Sequence, residues 1–115
     1  MKFTDTLKLN YEFHRLYSKG KSAVTPYLVV YARKGKRPGN RIGFTVSTKL
    51  GHAVKRNRIR RRLREIYRLN ESRFLRGTDL VVVARAKAVD ADYRQLERAF
   101  LSACGKLGLF AENAK

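Results

Sequence analysis

Seven arginines and one lysine are concentrated in the fourteen residues 55–68, KRNRIRRRLREIYR, where Glu65 is the only acid. The planar guanidinium group of arginine binds phosphate through two parallel hydrogen bonds and stacks on nucleobases. A helix that is merely solvated would mix Glu with its Lys and Arg residues at a spacing of four, and this segment hardly does so. The composition therefore indicates that the segment binds a polyanion, most simply a nucleic acid.

Asn57 distinguishes this segment from a generic cationic run, because an amide both donates and accepts hydrogen bonds. It could bind a 2′-hydroxyl group or a base edge of RNA. It could equally make a local bond to the backbone near the start of a helix, and both interpretations stay open.

A basic membrane helix is disfavoured, because it would carry a broader apolar face than this segment has.

The rest of the composition limits the chemistry of the chain. A length of 115 residues predicts one domain, residues 1–115, and the net charge of +18 agrees with a nucleic-acid partner. Cys104 is the only cysteine, and His14 and His52 lack the spacing of metal ligands. Asp79, Asp90 and Asp92 are expected to serve as caps or turn residues. We therefore expect neither a catalytic site nor a metal site on this chain.

A targeting or membrane-spanning segment is not expected. The first twenty residues contain Asp5 and Glu12 and have no continuous apolar stretch. The longest purely apolar run, residues 80–84, is far too short to span a bilayer. The sequence predicts a soluble cytoplasmic protein without a membrane partner.

Hydrophobic periodicity predicts the order α-β-β-α-β-α. Helices are predicted over residues 10–20, with Asn10 as cap and Gly20 at the end, over 55–68, and from about 92 to 107. Strands are predicted over 25–33, 41–47 and 78–85, and the first two should pair as a hairpin across the loop 34–40.

The two later helices carry readable signals. In the basic helix, four residues at helical spacing form one apolar stripe, namely Ile59, Leu63, Ile66 and Tyr67. Asp92 followed by Gln95 matches a capping box at the start of the last helix. Phe100 and Cys104 are expected in the core.

The stretch VSTKLGHAVKRNRIRRRLRE, residues 46–65, closely resembles the signature of the bacterial ribonuclease P protein subunit. That signature has a strand ending in Val-Ser, a basic pair, Gly, Ala-Val and then Arg-Asn-Arg with further basic positions. The matching residues here are Val46, Ser47, Lys49, Gly51, Ala53, Val54, Arg56, Asn57, Arg58, Arg60, Arg61 and Arg64. Residues 10–21 and 79–88 resemble the first helix and a later strand of the family, so the resemblance covers roughly residues 7–110. Thr48 departs from it by standing where the family usually has a basic residue.

The resemblance implies an α+β fold, an α-β sandwich with a mixed, roughly four-stranded sheet. It also implies a left-handed βαβ crossover around the basic helix, in a topology shared with ribosomal proteins. The family's holoenzyme, ribonuclease P, removes the 5′ leader from precursor tRNA. Its catalytic centre lies in an RNA subunit with Mg²⁺ ions, which makes the protein an accessory subunit without a cofactor of its own.

Two sets of binding residues follow from the resemblance. Contact with the catalytic RNA is implied for Lys49, Lys55, Arg56, Asn57, Arg58, Arg60, Arg61 and Arg64. Stacking on the single-stranded leader of precursor tRNA is implied for Phe13, Tyr17 and Tyr31. Core packing is the alternative for Phe13 and Tyr17, because aromatic residues at helical spacing are commonly buried.

Two rival functions remain open. A structural RNA-binding protein of ribosomal type would share the size and charge, although the Arg-Asn-Arg signature argues against it. A DNA-binding module would present varied base-reading side chains in the major groove, whereas this helix presents one Asn among arginines. We therefore expect folded RNA to be preferred over duplex DNA.

Overall fold

In the computed structural model, which describes residues 1–111, three helices and five strands follow one another. The elements are β1 (Thr4–Thr6), α1 (Asn10–Lys19), β2 (Lys21–Val24), β3 (Leu28–Lys34), β4 (Asn40–Thr45), α2 (Ala53–Asn70), β5 (Thr78–Ala84) and α3 (Tyr93–Lys106). Short 3-10 turns cover Thr48–Leu50, Glu71–Arg73 and Ala86–Asp90. The domain predicted over residues 1–115 includes residues 112–115, which lie outside the described residues.

The strands form one mixed sheet in the order β1-β4-β5-β3-β2. β4 pairs in parallel with β1 and β5, and β3 pairs antiparallel with β2 and β5. The α+β fold class is confirmed, with five strands among the described residues where roughly four were expected. β1 has three residues and β2 has four, which is too short for a readable alternation pattern.

The strands predicted over 25–33 and 41–47 correspond to β3 and β4. The prediction that they pair as a hairpin is wrong, because β5 lies between them in the sheet. Leu80, Val81 and Val82 of β5 are fully buried, so this strand is apolar on both faces. A strand of that kind is stabilised most at the centre of a sheet, where both faces are covered. The loop after β3 therefore carries the chain past the position of β5, and β4-α2-β5 forms a βαβ unit.

Helices lie on both faces of the sheet. The predicted apolar stripe of α2 is confirmed, since its four residues are buried together with α3 against one face. Phe100 and Cys104 are also fully buried in this layer. On the other face, Leu16 of α1 packs with Leu7 and with Val81 of β5.

The two predicted caps have different outcomes. The capping box of α3 is confirmed: Gln95 N–H donates to Asp92 Oδ1 at 2.8 Å, and Asp92 N–H donates to Gln95 Oε1 at 3.0 Å. The prediction that Asn10 caps α1 is wrong, because Asn10 is already helical and Leu9 precedes the helix. At the start of α1, the carboxylate of Glu12 accepts a hydrogen bond from Leu9 N–H at 3.3 Å. This contact gives a partner to a backbone N–H group that the helix itself cannot satisfy.

A buried carboxylate holds the amino-terminal segment at the edge of the sheet. Glu71 accepts hydrogen bonds from Lys2 N–H at 2.8 Å, Phe3 N–H at 3.1 Å and the Thr4 hydroxyl at 2.6 Å. Burial acts to raise the pKa of Glu71, but these bonds and the nearby amino terminus outweigh it and lower the pKa. The charged form of Glu71 therefore stabilises the position of β1.

Candidate RNA interface

The basic face consists of the eight polar residues singled out in the sequence around the start of α2. Six of them are exposed, namely Lys49, Lys55, Asn57, Arg58, Arg61 and Arg64. The other two, Arg56 and Arg60, are half-buried. The stripe on the opposite side of α2 is buried, so the helix presents its cations outward over about three turns.

Hydrogen bonds to the protein orient the two half-buried arginines. Arg56 Nε donates to Gly51 O at 3.2 Å, and Arg60 Nη2 reaches Val46 O at 3.5 Å. Arg60 Nη1 also donates to Asn57 Oδ1 at 3.0 Å. The oxygen of Asn57 thus binds a side chain one turn away, a role that differs from the two predicted from the sequence.

The loop before α2 has a defined shape that places Lys49 beside the helix. Ser47 Oγ accepts from Lys49 N–H at 3.2 Å, within the turn that follows β4. Gly51 has a φ angle of +136°, which residues with a Cβ rarely adopt. A Cβ there would also lie 3.3 Å from the side chain of Lys55. Glycine is therefore required where the chain turns into the basic helix.

The aromatic cleft consists of Phe13, Tyr17 and Tyr31, which the structure brings together between α1 and the sheet. The rings of Tyr17 and Tyr31 meet edge to face with centroids 5.0 Å apart. Tyr17 is 37% exposed, and its hydroxyl lies 3.0 Å from Thr45 Oγ1. The cleft thus presents an accessible aromatic ring that is held in place at both ends.

Phe13 has a mixed environment. Its ring packs directly over Gly43, where an added Cβ would come within 2.6 Å of it. It is half-buried and packs against the small core under α1. Packing therefore accounts for part of this side chain, while the rest borders the cleft.

An ion-pair cluster fixes α1 on the sheet. Arg41 of β4 contacts Asp79 through two hydrogen bonds, of 3.1 Å and 2.7 Å, and it also pairs with Glu12 of α1. The hydrogen bond to Asp79 raises the pKa of Arg41, and the charge of Glu12 adds to this effect. The expectation that Asp79 is a cap or turn residue is wrong, because its side chain is mostly buried in this pair.

The basic face and the aromatic cleft meet at two consecutive residues. Thr45 Oγ1 contacts the Tyr17 hydroxyl on one face of the sheet, and the Val46 carbonyl faces Arg60 on the other. The sequence has no Asp or Glu between residues 42 and 64. The two surfaces therefore adjoin each other at the end of β4, in a segment of the sequence without acidic residues.

The cleft continues onto an uncovered part of the sheet. Val29 and Val83 are paired across β3 and β5 and are only half-buried. Tyr31 and Val81 form the next pair on the same face, where α1 covers Val81. Beyond Tyr17, this face offers an apolar floor that can receive flat aromatic groups.

No group of three or more His, Cys, Asp or Glu side chains within residues 1–111 could hold a metal ion. No described helix combines the length and apolarity that crossing a membrane requires.

The sequence alone missed Arg41, Glu12 and Thr45 as contributors to the site. Arg41 and Asp79 are 38 residues apart, and Tyr17 and Thr45 are 28 apart. No local periodicity links such pairs, because the order of the strands brings them together. Arg41 falls on the polar face of an alternating strand, so the local pattern gives no signal of its ion pairs.

Comparison with known proteins gives consistent results. The sequence profile of the family described as Ribonuclease P matches residues 1–108. A Ribonuclease P protein component of Natranaerobius thermophilus is 41% identical over 108 residues, covering 94% of each chain. The corresponding protein of Finegoldia magna is 46% identical over 102 residues, covering 87% of this chain and 88% of its own.

Solved structures agree with the sequence comparison. The RNase P protein of Staphylococcus aureus superposes with a TM-score of 0.85 at 35% identity, covering 91% of this chain and 96% of its own. The RNase P protein of Thermotoga maritima gives a TM-score of 0.77 at 32% identity, with coverages of 85% and 93%.

Proposed function

This chain belongs to the ribonuclease P protein component family, and we propose that it binds the catalytic RNA of a bacterial ribonuclease P and the 5′ leader of precursor tRNA. The observation that carries the proposal is the junction at Thr45 and Val46, where the basic face meets the aromatic cleft. The basic face suits a folded, densely charged RNA, and the aromatic cleft suits a single-stranded RNA.

The basic face is the proposed contact for the catalytic RNA. Its arginines and lysines neutralise phosphates and release counterions, so affinity falls with salt at a log-log slope of roughly 0.7–0.9 per contact. Asn57 holds Arg60 and thereby spaces the cations along the helix. Neutralising the repulsion between the catalytic RNA and its substrate lets cleavage proceed at lower Mg²⁺ concentration.

The aromatic cleft is the proposed contact for the leader. Tyr17 and Tyr31 offer ring faces or edges to splayed bases, and Val29 and Val83 extend the apolar floor. Stacking tolerates any base, because every base has a π-face. That property suits leaders whose sequences differ between precursor tRNAs.

The chemistry of phosphodiester hydrolysis is assigned to the RNA subunit and its Mg²⁺ ions. Within residues 1–111 the acids are dispersed or already engaged, as Glu12, Asp79 and Glu71 are. The carboxylates of residues 1–111 therefore form no group that would hold a metal ion on the protein alone. We place this accessory role in the bacterial cytoplasm, where precursor tRNA is processed.

Reconstitution tests the proposal. The purified protein is mixed with a bacterial ribonuclease P RNA and a precursor tRNA at a Mg²⁺ concentration where the RNA alone is slow. We expect strong stimulation of cleavage at the mature 5′ end. The variant Arg58→Gln/Arg61→Gln/Arg64→Gln should lose most of this stimulation. The log-log dependence of its RNA affinity on salt concentration should become shallower by roughly 2–3.

A matched control removes the same charge elsewhere. The variant Arg37→Gln/Arg94→Gln/Arg98→Gln changes three exposed arginines outside the basic face and should retain stimulation. If the wild-type protein binds RNA without stimulating cleavage, the ribosomal type of function takes precedence. Equal losses in the two triple variants would mean that net charge, and not this face, is responsible.

A further inference from the structure

A second cationic site lies at the opposite end of the sheet from the basic face. A cavity of about 490 Å³ opens where β2, β3 and the start of β5 meet the end of α3. Five basic residues line it: Lys19, Lys21, Arg33, Lys34 and Arg76. None of the described residues that line it is acidic. Its positive charge is therefore not neutralised by its own walls, and it favours an anionic ligand.

The cavity also has an apolar wall. Leu75, Leu107 and Leu109 line one side of it, and Thr78 adds a hydroxyl group. A volume of this size lies within the range of pockets that take small organic ligands. An apolar wall beside lysine ammonium groups matches a nucleotide, with its base on the wall and its phosphate at the lysines.

Arg33 adds an electrostatic reason for a bound anion. It lines this cavity and the neighbouring one beneath α1. Its Nη1 is buried and has no hydrogen-bond partner among the described residues. A buried donor without an acceptor is unfavourable, and it leaves the charge of Arg33 without an anionic partner at this atom, which favours an anion in the cavity.

The position of the cavity relative to the aromatic cleft indicates which RNA reaches it. β2 is the edge strand, and its Ser22 pairs with Tyr31 of the cleft while the adjacent Lys21 pairs with Ala32. Lys19 follows Tyr17 by two residues on α1. A single-stranded RNA that leaves the cleft across β2 therefore meets Lys21 first. Lys21 lies on the side of the cleft away from the basic face.

We infer that this cavity binds a distal nucleotide of the single-stranded 5′ leader, upstream of the nucleotides in the aromatic cleft. The inference rests on the proposed function and extends it to a second leader subsite. Leader length then becomes a determinant of substrate affinity, since only leaders long enough to pass the β2 edge reach the cavity.

The test uses the reconstituted holoenzyme and precursor tRNAs whose leaders lengthen one nucleotide at a time. For wild type, we expect affinity to rise again at a length beyond that which fills the cleft. The variant Lys21→Ala/Lys34→Ala should lose this second rise, by about fivefold to tenfold, with a salt slope shallower by roughly 1.4. Both lysines are exposed, so folding should be unaffected.

The variant Lys8→Ala/Lys87→Ala removes the same charge from exposed positions outside the cavity and should keep the second rise. An equal loss at every leader length, or a loss of affinity for the catalytic RNA instead, would overturn the inference. If wild-type protein fails to stimulate cleavage at all, the proposed function fails first, so the two failures are distinguishable.

Discussion

The guanidinium of Arg41 and the carboxylate of Asp79 face each other across the parallel strands β4 and β5, with Nε–Oδ1 at 3.1 Å and Nη2–Oδ2 at 2.7 Å. Arg41 also binds Glu12, so a single side chain joins two central strands to α1. Because α1 carries Phe13 and Tyr17, this cluster helps to hold both aromatic rings against the sheet.

Replacement of Arg41 should therefore destabilise the protein. Arg41→Gln leaves Asp79 and Glu12 mostly buried without their cation, and losing one partner of such a pair costs about 3 kcal/mol or more. Urea denaturation measures the change. Arg37→Gln is the control, because its pair with Asp5 is exposed and should contribute less than about 1 kcal/mol. Equal effects of the two changes would contradict the structural role of Arg41.

Tyr17 separates stacking from hydrogen bonding. Tyr17→Phe keeps the ring and loses only the contact with Thr45, so precursor tRNA affinity should change little. Tyr17→Ala removes a stacking surface and should weaken leader binding by about 1–3 kcal/mol. Affinities of the holoenzyme for precursor and for leaderless tRNA are compared. A Tyr17→Ala loss of the same size for leaderless tRNA would speak against leader stacking.

Two neighbouring arginines on α2 should behave differently. Arg61 is exposed on the basic face, and Arg61→Gln should lower RNA affinity and make the salt slope shallower by roughly 0.7–0.9. Arg62 Nη1 donates to Ala91 O at 3.1 Å, so Arg62→Gln should cost about 1 kcal/mol of stability and little affinity. RNA titrations and urea denaturation are measured on both variants. The reversed pattern would show that the basic face is misassigned.

Glu71 should make stability depend on pH in the acid range. Its pKa in the folded protein lies below the ordinary value of 4.5, so the unfolded chain takes up a proton first as pH falls. The stabilisation is fully present above pH 4.5 and is lost as pH falls through the lower, folded pKa. Glu71→Gln should reduce stability at neutral pH and flatten this acid dependence.

Urea midpoints across the acid range measure the effect of Glu71. Asp90→Asn serves as the control, since Asp90 is exposed. A wild-type acid profile that persists unchanged in Glu71→Gln would assign the dependence to other carboxylates.

Cys104 should be inert in the folded protein. It is fully buried, and burial raises the pKa of its thiol well above the ordinary value. Iodoacetamide should label it at least about a thousandfold more slowly than in the unfolded chain. Even a marginal free energy of unfolding keeps the fraction of unfolded molecules, in which the thiol is accessible, below that ratio. Since it is the only cysteine, mass spectrometry gives an unambiguous signal. Rapid labelling without urea would show that α3 opens locally.

Local signals in the sequence determined the three helices and the three longer strands, but not the short strands β1 and β2. The spacing of Ile59, Leu63, Ile66 and Tyr67 defined the buried side of the basic helix, and Asp92 with Gln95 defined the start of α3. Such patterns are readable because a helix repeats every 3.6 residues and a capping box spans four. The signature in residues 46–65 likewise indicated the family, which the sequence comparison over residues 1–108 confirms.

How these elements meet depends on contacts between residues that are distant in the sequence. The central place of β5 separated two strands that the sequence paired, and it created the contacts of Arg41 with Asp79 and of Tyr17 with Thr45. The two residues of these pairs are 28 and 38 positions apart in the sequence, a distance that no local repeat spans. Burial of β5 on both faces favours its place at the centre of the sheet. The joined basic face and aromatic cleft, and the distal cavity, are consequences of that packing.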